Sequence, residues 1–434
     1  MKLINAPLIL HLALCLLTFK ATAQGELQWD ALPNMPEAVA NNAVTSAYCG
    51  DTLCVYSFCG IGSGLEPADI HLHAWRYNTS TGVWNALPDV PDTQGLIASG
   101  ASTINNRIYV IGGYHVNANF SEVSSSSVHV FDPESNTWLE DAASIPTAID
   151  DHVQAVWSDS LLFVVTGWSN TGNVNKVQIF NPSLNTWEQG TVVPNSNGWK
   201  AFGASGVFIG DTLYYMGGVN GASFAATSLM RKGVVNPDNP LEISWDLLDD
   251  YPGDPGYRMA CAQSGDCALW IGGSSVAYNF DAVAYNGSGV VAPNERVAVY
   301  NASTLAWSEY MDNPAVMDLR GIARVSDHEW IICGGIGEDQ EVLQQTWLLT
   351  FSPETSISEV HSEMANAHFK GEQLVVHIPE GSRWQLLDLS GRKCSSGRSS
   401  GSFEVQCGAG VYVFIVHLPN GMKHSIKLLK GGGA

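Results

Sequence analysis

Basic residues are scarce in this chain. Its 434 residues include 20 Lys and Arg against 42 Asp and Glu, which gives a formal net charge of −22 at pH 7. Residues 24–362 hold ten of the basic residues and 37 of the acidic ones, whereas residues 363–430 are slightly basic. An acidic body of this kind repels phosphate backbones and anionic membrane surfaces, so neither nucleic acid nor a membrane surface is expected as a partner.

Long apolar runs are also scarce. The one near the N-terminus, residues 8–19, follows the basic Lys2 and precedes Ala21-Thr22-Ala23. This order predicts a secretory signal peptide over residues 1–23, cleaved before Gln24. No other run approaches the roughly 18 residues of a spanning helix, so no transmembrane segment is expected.

Motifs that carry catalytic or metal chemistry are missing. The nine cysteines show none of the spacings of a zinc site, and there is no nucleophile elbow or phosphate loop. The sequence therefore predicts no metal, no cofactor and no assigned catalytic residue. Export to an oxidising space instead makes disulfides plausible. The pairs expected are Cys49 with Cys54, Cys261 with Cys267, Cys394 with Cys407, and Cys59 with Cys333.

A repeated unit runs through the first 350 or so residues. An aromatic residue is followed seven positions later by tryptophan in four places: Tyr77/Trp84, Phe131/Trp138, Phe180/Trp187 and Tyr300/Trp307. Each pair spans a segment that begins with Asn or Asp, which favours a tight turn. The pattern predicts strand, turn, strand, with both aromatics packed between sheets. A unit that recurs about every 50 residues indicates a repeat architecture.

Glycine marks a second position in each repeat. Apolar runs end in a doublet at Cys59-Gly60, Gly112-Gly113, Thr166-Gly167, Gly217-Gly218, Gly272-Gly273 and Gly334-Gly335. A glycine doublet followed by an aromatic residue and then tryptophan resembles the kelch repeat. The resemblance implies an all-β fold in which residues 24–352 form a six-bladed kelch-type β-propeller of four-stranded blades.

The last repeat lacks a fourth strand. The fourth strands of the other five can be placed at Trp84, Trp138, Trp187, Trp245 and Trp307. Near the N-terminus, residues 27–36 copy the Trp-x-x-Leu-Pro spacing of Trp84–Pro88. We therefore expect residues 27–32 to complete the sixth blade, so that no sheet edge is left open.

The tail is of a different kind. After a linker over 353–362, residues 363–430 carry Leu-Leu-Asp-Leu-Ser-Gly-Arg at 386–392 and Gly-Val-Tyr-Val at 410–413. These motifs resemble the C-terminal sorting domain of the type IX secretion pathway. The resemblance implies a small β-sandwich-like domain, a Bacteroidetes-type host, secretion machinery as a partner, and a secreted or cell-surface protein. The alternative is an ordinary carbohydrate-binding β-sandwich.

The strand order predicts two faces with different loops. The loops after the doublets and those leading into first strands share one face, here called the doublet face. The aromatic-to-tryptophan turns and the hairpins between first and second strands share the other, the turn face. The doublet face has the longer loops, and binding residues concentrate on loops held by a rigid scaffold.

One register on the doublet face is rich in cations. This register is the sixth position after the proline that ends each fourth strand. The residues at these positions are Asn42, Ile97, His152, Lys200, Arg258 and Arg320. We expect these side chains to surround a mouth of the channel and bind an anion through the Arg fork. The neighbouring aromatics would stack on sugar rings: Tyr114, Trp168, Trp199 and Tyr257. The alternative is structural, with arginines paired to Asp150, Asp151 or Asp318 and the aromatics filling blade interfaces.

Three functions fit these features. The first is an exported binding module for acidic glycans. The second is a sugar-modifying enzyme similar to sialic acid mutarotases, with His152, Asp151 or His115 as candidate acid–base groups. The third is an adhesion or protein-interaction scaffold. A copper oxidase similar to galactose oxidase is disfavoured, because its Tyr/His/Cys ligands cannot be placed on corresponding loops.

One further pair of histidines stands out. His71-Leu-His73 places two imidazoles on the same face of a strand. The sequence offers no third ligand for them, so no metal site is predicted there.

Overall fold

The computed structural model describes residues 25–353 and seven segments of the tail: 366–370, 373–378, 382–388, 392–398, 402–406, 410–417 and 423–430. The predicted signal peptide, most of the predicted linker and Cys407 lie outside these residues. The chain divides into two compact units, Met1–Pro353 and Glu354–Ala434. No helix in the described parts is both long and apolar enough to pass through a bilayer.

The first unit consists of antiparallel strands in six four-stranded sheets, numbered I to VI. It begins with β1 (Gly25–Leu32). Sheet I contains β2 (Ala43–Cys49), β3 (Thr52–Ile61), β4 (Ile70–Asn78) and β5 (Val83–Leu87). Sheet II follows with β6 (Gly100–Ile104) and β7 (Arg107–Ile111), the separate ribbon of β8 (Tyr114–Val116) and β9 (Glu122–Ser124), then β10 (Val128–Asp132) and β11 (Thr137–Trp138). Sheet III has β12 (Val153–Trp157) and β13 (Leu161–Val165), the ribbon of β14 (Trp168–Ser169) and β15 (Gly172–Asn173), then β16 (Val177–Asn181) and β17 (Thr186–Gln189).

The remaining three sheets follow the same order. Sheet IV contains β18 (Phe202–Ile209), β19 (Thr212–Val219), β20 (Met230–Asn236) and β21 (Asn239–Leu247). Sheet V contains β22 (Ala260–Ser264), β23 (Cys267–Ile271), β24 (Val297–Asn301) and β25 (Ala306–Tyr310). Sheet VI contains β26 (Ala323–Arg324), β27 (Glu329–Cys333) and β28 (Thr346–Pro353). Two short 3-10 helices lie in loops, at Pro67–Asp69 and Glu338–Gln340.

The first strand of the chain completes the last sheet. Strand β1 pairs antiparallel with β28 along its whole length, from Gly25 opposite Pro353 to Leu32 opposite Thr346. The Trp29 indole also donates a hydrogen bond to Asn313 Oδ1 in the segment after sheet V, at 2.8 Å. The prediction that an N-terminal strand fills the missing position is confirmed, with β1 two residues longer at its start.

The six sheets form a ring around their first strands. Strand β2 contacts β6, β6 contacts β12, β12 contacts β18, and β18 contacts β22. Strand β26 contacts β2 on the other side, and one apolar cluster joins sheets V and VI. The first strands are therefore the innermost ones, and side chains from all six face a common central space.

The glycine doublets are the points where neighbouring sheets meet most closely. In all six, the N–H of the second residue donates to a carbonyl of the following sheet, as Gly113 does to Ile149 at 2.9 Å and Gly335 to Val39 at 2.8 Å. The first glycine needs both its conformation and its missing side chain. Gly112 has φ +62°, and a Cβ there would lie 2.3 Å from the Ile149 oxygen.

The tryptophans connect the outer edges. Each Asx-turn pair is a register partner across two strands, with the rings of Phe131 and Trp138 5.0 Å apart. The indole N–H reaches back to a carbonyl beyond the preceding sheet's last strand, as from Trp138 to Pro88 at 2.9 Å. Equivalent bonds run from Trp84 to Pro33 and from Trp187 to Ala143. The aromatic repeat is thus an inter-sheet contact.

The disulfide prediction is wrong for the pairs that the structure describes. The cysteines there are free thiols: Cys49, Cys54, Cys59, Cys261, Cys267, Cys333 and Cys394. Cys261 and Cys267 cannot pair because Cys261 lies opposite Trp270 and Cys267 opposite Ser264, which puts their side chains on opposite sheet faces.

For the other predicted pairs, strand register is not the obstacle, and the positions of the thiols differ from pair to pair. Cys49 and Cys54 share one face of sheet I but are separate thiols. Cys59 lies 3.3 Å from Ser99 Oγ, whereas Cys333 lies near the Asn42 amide. Burial raises the pKa of Cys59 and of Cys333 to about 12. The partner predicted for Cys394 lies outside the described residues.

The second unit contains two smaller sheets. Its strands are β29 (Asn366–Lys370), β30 (Gln373–His377), β31 (Arg383–Asp388), β32 (Lys393–Arg398), β33 (Ser402–Gln406), β34 (Gly410–His417) and β35 (Lys423–Lys430). One sheet has the order β29-β30-β33 and the other β32-β31-β34-β35. Apolar side chains from both sheets share one core that includes Leu374, Trp384 and Phe414. The arrangement is a two-sheet sandwich.

Candidate functional site

Six residues with left-handed backbone form a ring at the doublet face. One comes from each sheet, at or ahead of its first strand, and their φ angles lie between 47° and 66°: Asn41, Ala98, Asp151, Gly203, Arg258 and Asp318. Backbone hydrogen bonds join many of them, as from Gly203 to Asp151 at 2.7 Å and from Arg258 to Gly203 at 2.8 Å. The six sheets are therefore tied together around this end of the central space.

Arg258 is the hub of the ring. Its Nε and Nη2 donate to the two carboxylate oxygens of Asp151 in sheet III, at 3.1 and 2.7 Å. Its Nη1 donates to Asp318 Oδ1 in sheet VI, at 2.9 Å. The Arg258 side chain is 1% exposed, and both carboxylates are equally buried. A buried cation with two charged partners is held in place by hydrogen bonds that water cannot replace.

Aromatic side chains cover this network. Tyr257 and Tyr278 place their rings 5.1 and 5.4 Å from the Arg258 guanidinium carbon, and both are fully buried. Tyr278 belongs to the long segment between β23 and β24, and its hydroxyl lies 3.3 Å from Asp318 Oδ1. Arg258 is thus enclosed by protein groups from several sheets.

Burial and charge act in opposite directions on the acids nearby. Burial favours a higher pKa for Asp151, but Arg258 and Arg320 together lower it below its usual range. Burial raises the pKa of Asp318 despite Arg258. The pKa of Asp150 is raised well above normal by burial and by the neighbouring Asp151 charge. Asp151 is therefore the carboxylate that holds the negative charge opposite the two arginines.

A cavity of about 650 Å³ lies along the axis of the ring. Residues of all six first strands line it, among them Thr45, Ser102, Gln154, Ser205, Gln263 and Arg324, together with Arg320 just before the last of these strands. At its inner end His152 and Arg320 lie beside the Asp151 network, whereas the exposed Asp159 and Arg324 line it near the turn face. The cavity therefore opens toward the turn face.

The inner end of this cavity is polar. Arg320 Nη2 donates to the His152 carbonyl at 3.0 Å, and Nη1 lies 3.5 Å from Asp151 Oδ1. His152 Nε2 lies 2.8 Å from Gln154 Oε1, and Gln154 donates to Ser102. Among the described residues, Arg320 Nε and His152 Nδ1 have no hydrogen-bond partner. Burial, with a contribution from Arg320, lowers the pKa of His152 to about 4, so its ring is neutral near pH 7.

The other predicted site residues lie apart from this cavity. Trp199 is buried in the apolar cluster between sheets III and IV, and its carbonyl accepts the Tyr215 hydroxyl. Lys200 is half-buried in the loop before β18. Tyr114 is buried with Tyr257 in the apolar cluster of the doublet face. His115 Nδ1 lies 3.0 Å from the Gly95 carbonyl and Nε2 lies 3.6 Å from Asp92.

The doublet face has a partly exposed aromatic ridge. Trp168, Phe224 and Tyr285 come from the loops of sheets III, IV and V, and their rings are 5.8 and 5.0 Å apart in succession. Tyr285 is 37% exposed, the exposed Val290 lies in the same long loop of sheet V, and the exposed Phe120 lies in the loop of sheet II. Of the aromatics predicted to bind, only Trp168 is part of this ridge.

Counting six residues from each proline predicted that six side chains occupy equivalent positions in the six sheets. In the structure their positions are not equivalent. Only Arg258 occupies the left-handed position, whereas Asn42 and His152 lie one residue beyond it and Arg320 two. The loops between fourth and first strands differ in length, so a fixed count from proline fails. The rule missed Asn41 and Gly203, whose backbones complete the ring.

The sequence profile of the KLHDC2/KLHL20/DRC7 kelch-repeats domain matches residues 43–231. This segment covers sheets I to III and most of IV, with four of the glycine doublets. Kelch repeats are therefore matched over this segment.

Several characterised kelch proteins are similar over parts of their length. Kelch-like protein 35 of Mus musculus is 25% identical over 66% of this chain and 42% of its own. A putative F-box/kelch-repeat protein of Arabidopsis thaliana is 30% identical over 38% of this chain and 36% of its own. Spermatocyte protein spe-26 of Caenorhabditis elegans is 26% identical over 41% and 30%, respectively. This chain thus spans less than half the length of these relatives.

A solved structure has the same fold. The chain described as "Structure of YjhT" aligns with a TM-score of 0.57 and 16% identity, over 74% of this chain and 99% of its own. At this identity the likeness concerns the fold alone. It agrees with an all-β, propeller-like fold.

Proposed function

We propose that this protein is an exported module that binds an acidic sugar, or a similar carboxylate ligand, in the axial cavity. The observation that carries the proposal is Arg320. Its guanidinium lines the inner end of the cavity, its side chain is 5% exposed, and its Nε has no partner among the described residues. A carboxylate entering from the turn face would satisfy this donor with a charge-assisted hydrogen bond.

The rest of the cavity suits a sugar. Its volume of about 650 Å³ lies within the usual range for small-ligand sites. Hydroxyl and amide groups of Ser102, Gln154 and Gln263 line its wall and can bond to sugar hydroxyls in either direction. Arg258 has no part in this site, because Asp151 and Asp318 already satisfy its charge.

Export and sorting are part of the proposal. The order of basic, apolar and small residues in 1–23 supports passage through the inner membrane. The motifs at 386–392 and 410–413 support recognition by type IX secretion machinery, which would place the six-bladed propeller at the cell surface or outside the cell. Mass spectrometry of culture medium and cell fractions would test this, and a protein confined to the cytoplasm with residues 1–23 intact would contradict it.

The ligand is tested with a glycan array of acidic sugars and their neutral analogues. Residues 24–434 should bind acidic sugars, and Arg320→Gln should weaken binding at least tenfold. Arg107→Gln is the matched control, since that arginine is exposed on sheet II and paired with Asp132. Equal binding of neutral analogues, or unchanged binding by a folded Arg320→Gln protein, would remove the anion site. Bound sugars should also be followed by NMR for anomeric exchange, which would reveal mutarotase activity.

A protein partner on the doublet face is a second candidate. It rests on the aromatic ridge of Trp168, Phe224 and Tyr285 together with the exposed Phe120 and Val290. Exposed apolar and aromatic groups on one face are typical of protein-binding surfaces. Cross-linking in the native host should give partners lost in Phe120→Asp/Val290→Asp protein but retained in Leu184→Asp, a turn-face control. If no sugar binds and such partners appear, this candidate replaces the first.

A further inference from the structure

Three metal-ligating side chains meet beside sheet I. His71 and His73 lie two residues apart on β4, and Glu37 belongs to the segment between β1 and β2. One ligand atom from each lies within 4.8 Å of the others. The carboxylate of Glu37 is the third ligand that the sequence alone did not show, because 33 intervening residues separate it from His71.

The geometry brings the two imidazoles and the carboxylate into one cluster. His73 Nδ1 lies 3.0 Å from both Glu37 carboxylate oxygens. The two histidine rings are stacked, with centroids 4.4 Å apart and planes at 17°. His73 and Glu37 are partly exposed, with side chains 49% and 28% accessible, so an ion can reach the cluster from solvent.

His71 gives the second, independent observation. Both of its ring nitrogens are shielded from solvent, and neither has a hydrogen-bond partner among the described residues. A shielded polar group without a partner is destabilising and calls for an unseen water or ion. A metal ion bound to one of these nitrogens would remove that defect.

Groups around the cluster also favour a cation. The Trp75 indole donates to Glu37 Oε1, which fixes the orientation of the carboxylate as second-sphere groups commonly do. The two imidazoles therefore face a carboxylate that is held in a fixed orientation.

We propose that Glu37, His71 and His73 bind a divalent first-row transition-metal ion such as Zn²⁺. Two imidazoles and one carboxylate are the donor set that such ions prefer, and three protein ligands leave a position for water. Ca²⁺ and Mg²⁺, which need oxygen ligands, would not bind here. The bond from His73 to Glu37 would be replaced by bonds to the ion.

The ion would also stabilise the ring closure. Glu37 follows β1, which belongs to sheet VI, and the histidines belong to sheet I. An ion bound to all three would connect the segment after the closing strand to the neighbouring sheet. Metal bound only to the folded state raises the melting temperature by mass action.

The test uses untagged protein freed of metal by chelation. Titration with ZnCl₂ should show one ion bound through this cluster, and CoCl₂ should give the visible absorption of a low-coordinate Co²⁺ site. His71→Ala and Glu37→Gln should each weaken binding at least tenfold and abolish the metal-dependent rise in melting temperature. His328→Ala is the matched control, because His328 is exposed in the turn between β26 and β27, contacts Ser264 and is not a member of the cluster.

Two outcomes would overturn the proposal. One is unchanged affinity and Co²⁺ absorption in folded His71→Ala or Glu37→Gln protein. The other is absence of any saturable binding by the parent protein. Circular dichroism in EDTA establishes that the variants are folded, and the exposed His73→Ala replaces His71→Ala if that variant is not.

Discussion

Arg258 binds both carboxylate oxygens of Asp151, which lies two sheets away around the ring, although 106 residues separate them in the chain. The contact joins sheets V and III, and a further bond to Asp318 adds sheet VI. The three side chains lie among buried aromatic groups. The structural interpretation of Arg258, as a contact between sheets, is therefore the one that its hydrogen bonds support.

Replacement of Arg258 should destabilise the propeller strongly. Arg258→Met leaves Asp151 and Asp318 buried without their main partner, which costs about 3–5 kcal/mol of unfolding free energy. Urea denaturation followed by tryptophan fluorescence measures this loss. Arg107→Met, at an exposed pair with Asp132, should cost at most about 1 kcal/mol. Equal midpoints for the two variants would show that the buried network does not stabilise the ring.

Substitution by alanine should be tolerated far less well at Gly112 than at Gly50. Both have left-handed φ, +62° and +58°, but a Cβ at Gly112 would lie 2.3 Å from the Ile149 oxygen, whereas nothing lies within 4 Å of one at Gly50. Gly50→Ala should cost about 1 kcal/mol from backbone strain alone. Gly112→Ala should cost roughly 3 kcal/mol because sheets II and III must also separate. Thermal melts of the pair separate the two effects.

The closing strand should control the cooperativity of the whole ring. Removal of residues 24–35 exposes the edge of β28 and the apolar cluster between sheets V and VI, so the first unit should lose its cooperative melt. Trp29→Phe keeps the strand but removes the bond to Asn313 and part of the ring packing, and should cost at least about 1 kcal/mol. A truncated protein that melts at the parent temperature would mean that the ring does not need β1.

Acid should destabilise the protein partly through His152. Its pKa is about 4 in the folded state and 6.5 when unperturbed, so between these values the unfolded chain binds a proton that the folded one does not. Stability is therefore lost as the pH falls from 6.5 to 4, by up to about 3 kcal/mol for this group. The raised pKa of Asp318 acts with the opposite sign.

Comparing the pH dependence of stability of the parent and of His152→Gln gives the contribution of His152 alone, because both proteins contain the same aspartates. The variant should lose less stability than the parent between pH 7 and pH 4.5 in chemical denaturation. Parallel pH profiles for the two proteins would mean that His152 does not titrate with a lowered pKa.

The repeating parts of the fold could be predicted because their signals are local. The glycine doublets mark close backbone approach, and the aromatic and tryptophan of each Asx turn are register partners a few residues apart. The closing strand could be found because residues 27–36 repeat a spacing present at Trp84. Each of these features is fixed by short-range geometry.

The candidate sites could not be predicted in the same way, because they depend on distant parts of the chain. The loops before the first strands vary in length, so counting from proline placed Arg320 and Lys200 in one register although they lie in different settings. From the sequence alone, many aspartates were possible partners for Arg258. Glu37 joins His71 only after β1 and β4 have folded into neighbouring sheets.

The pairing of β1 with β28 has a mechanical consequence. Gly25 lies opposite Pro353, so the two ends of the first unit leave the same end of one antiparallel strand pair. A force pulling these ends apart would load the hydrogen bonds one after another, as in unzipping, and not all together in shear. Tension between anything attached before residue 25 and anything after residue 353 would therefore open the ring at its seam while the other five sheets are still folded.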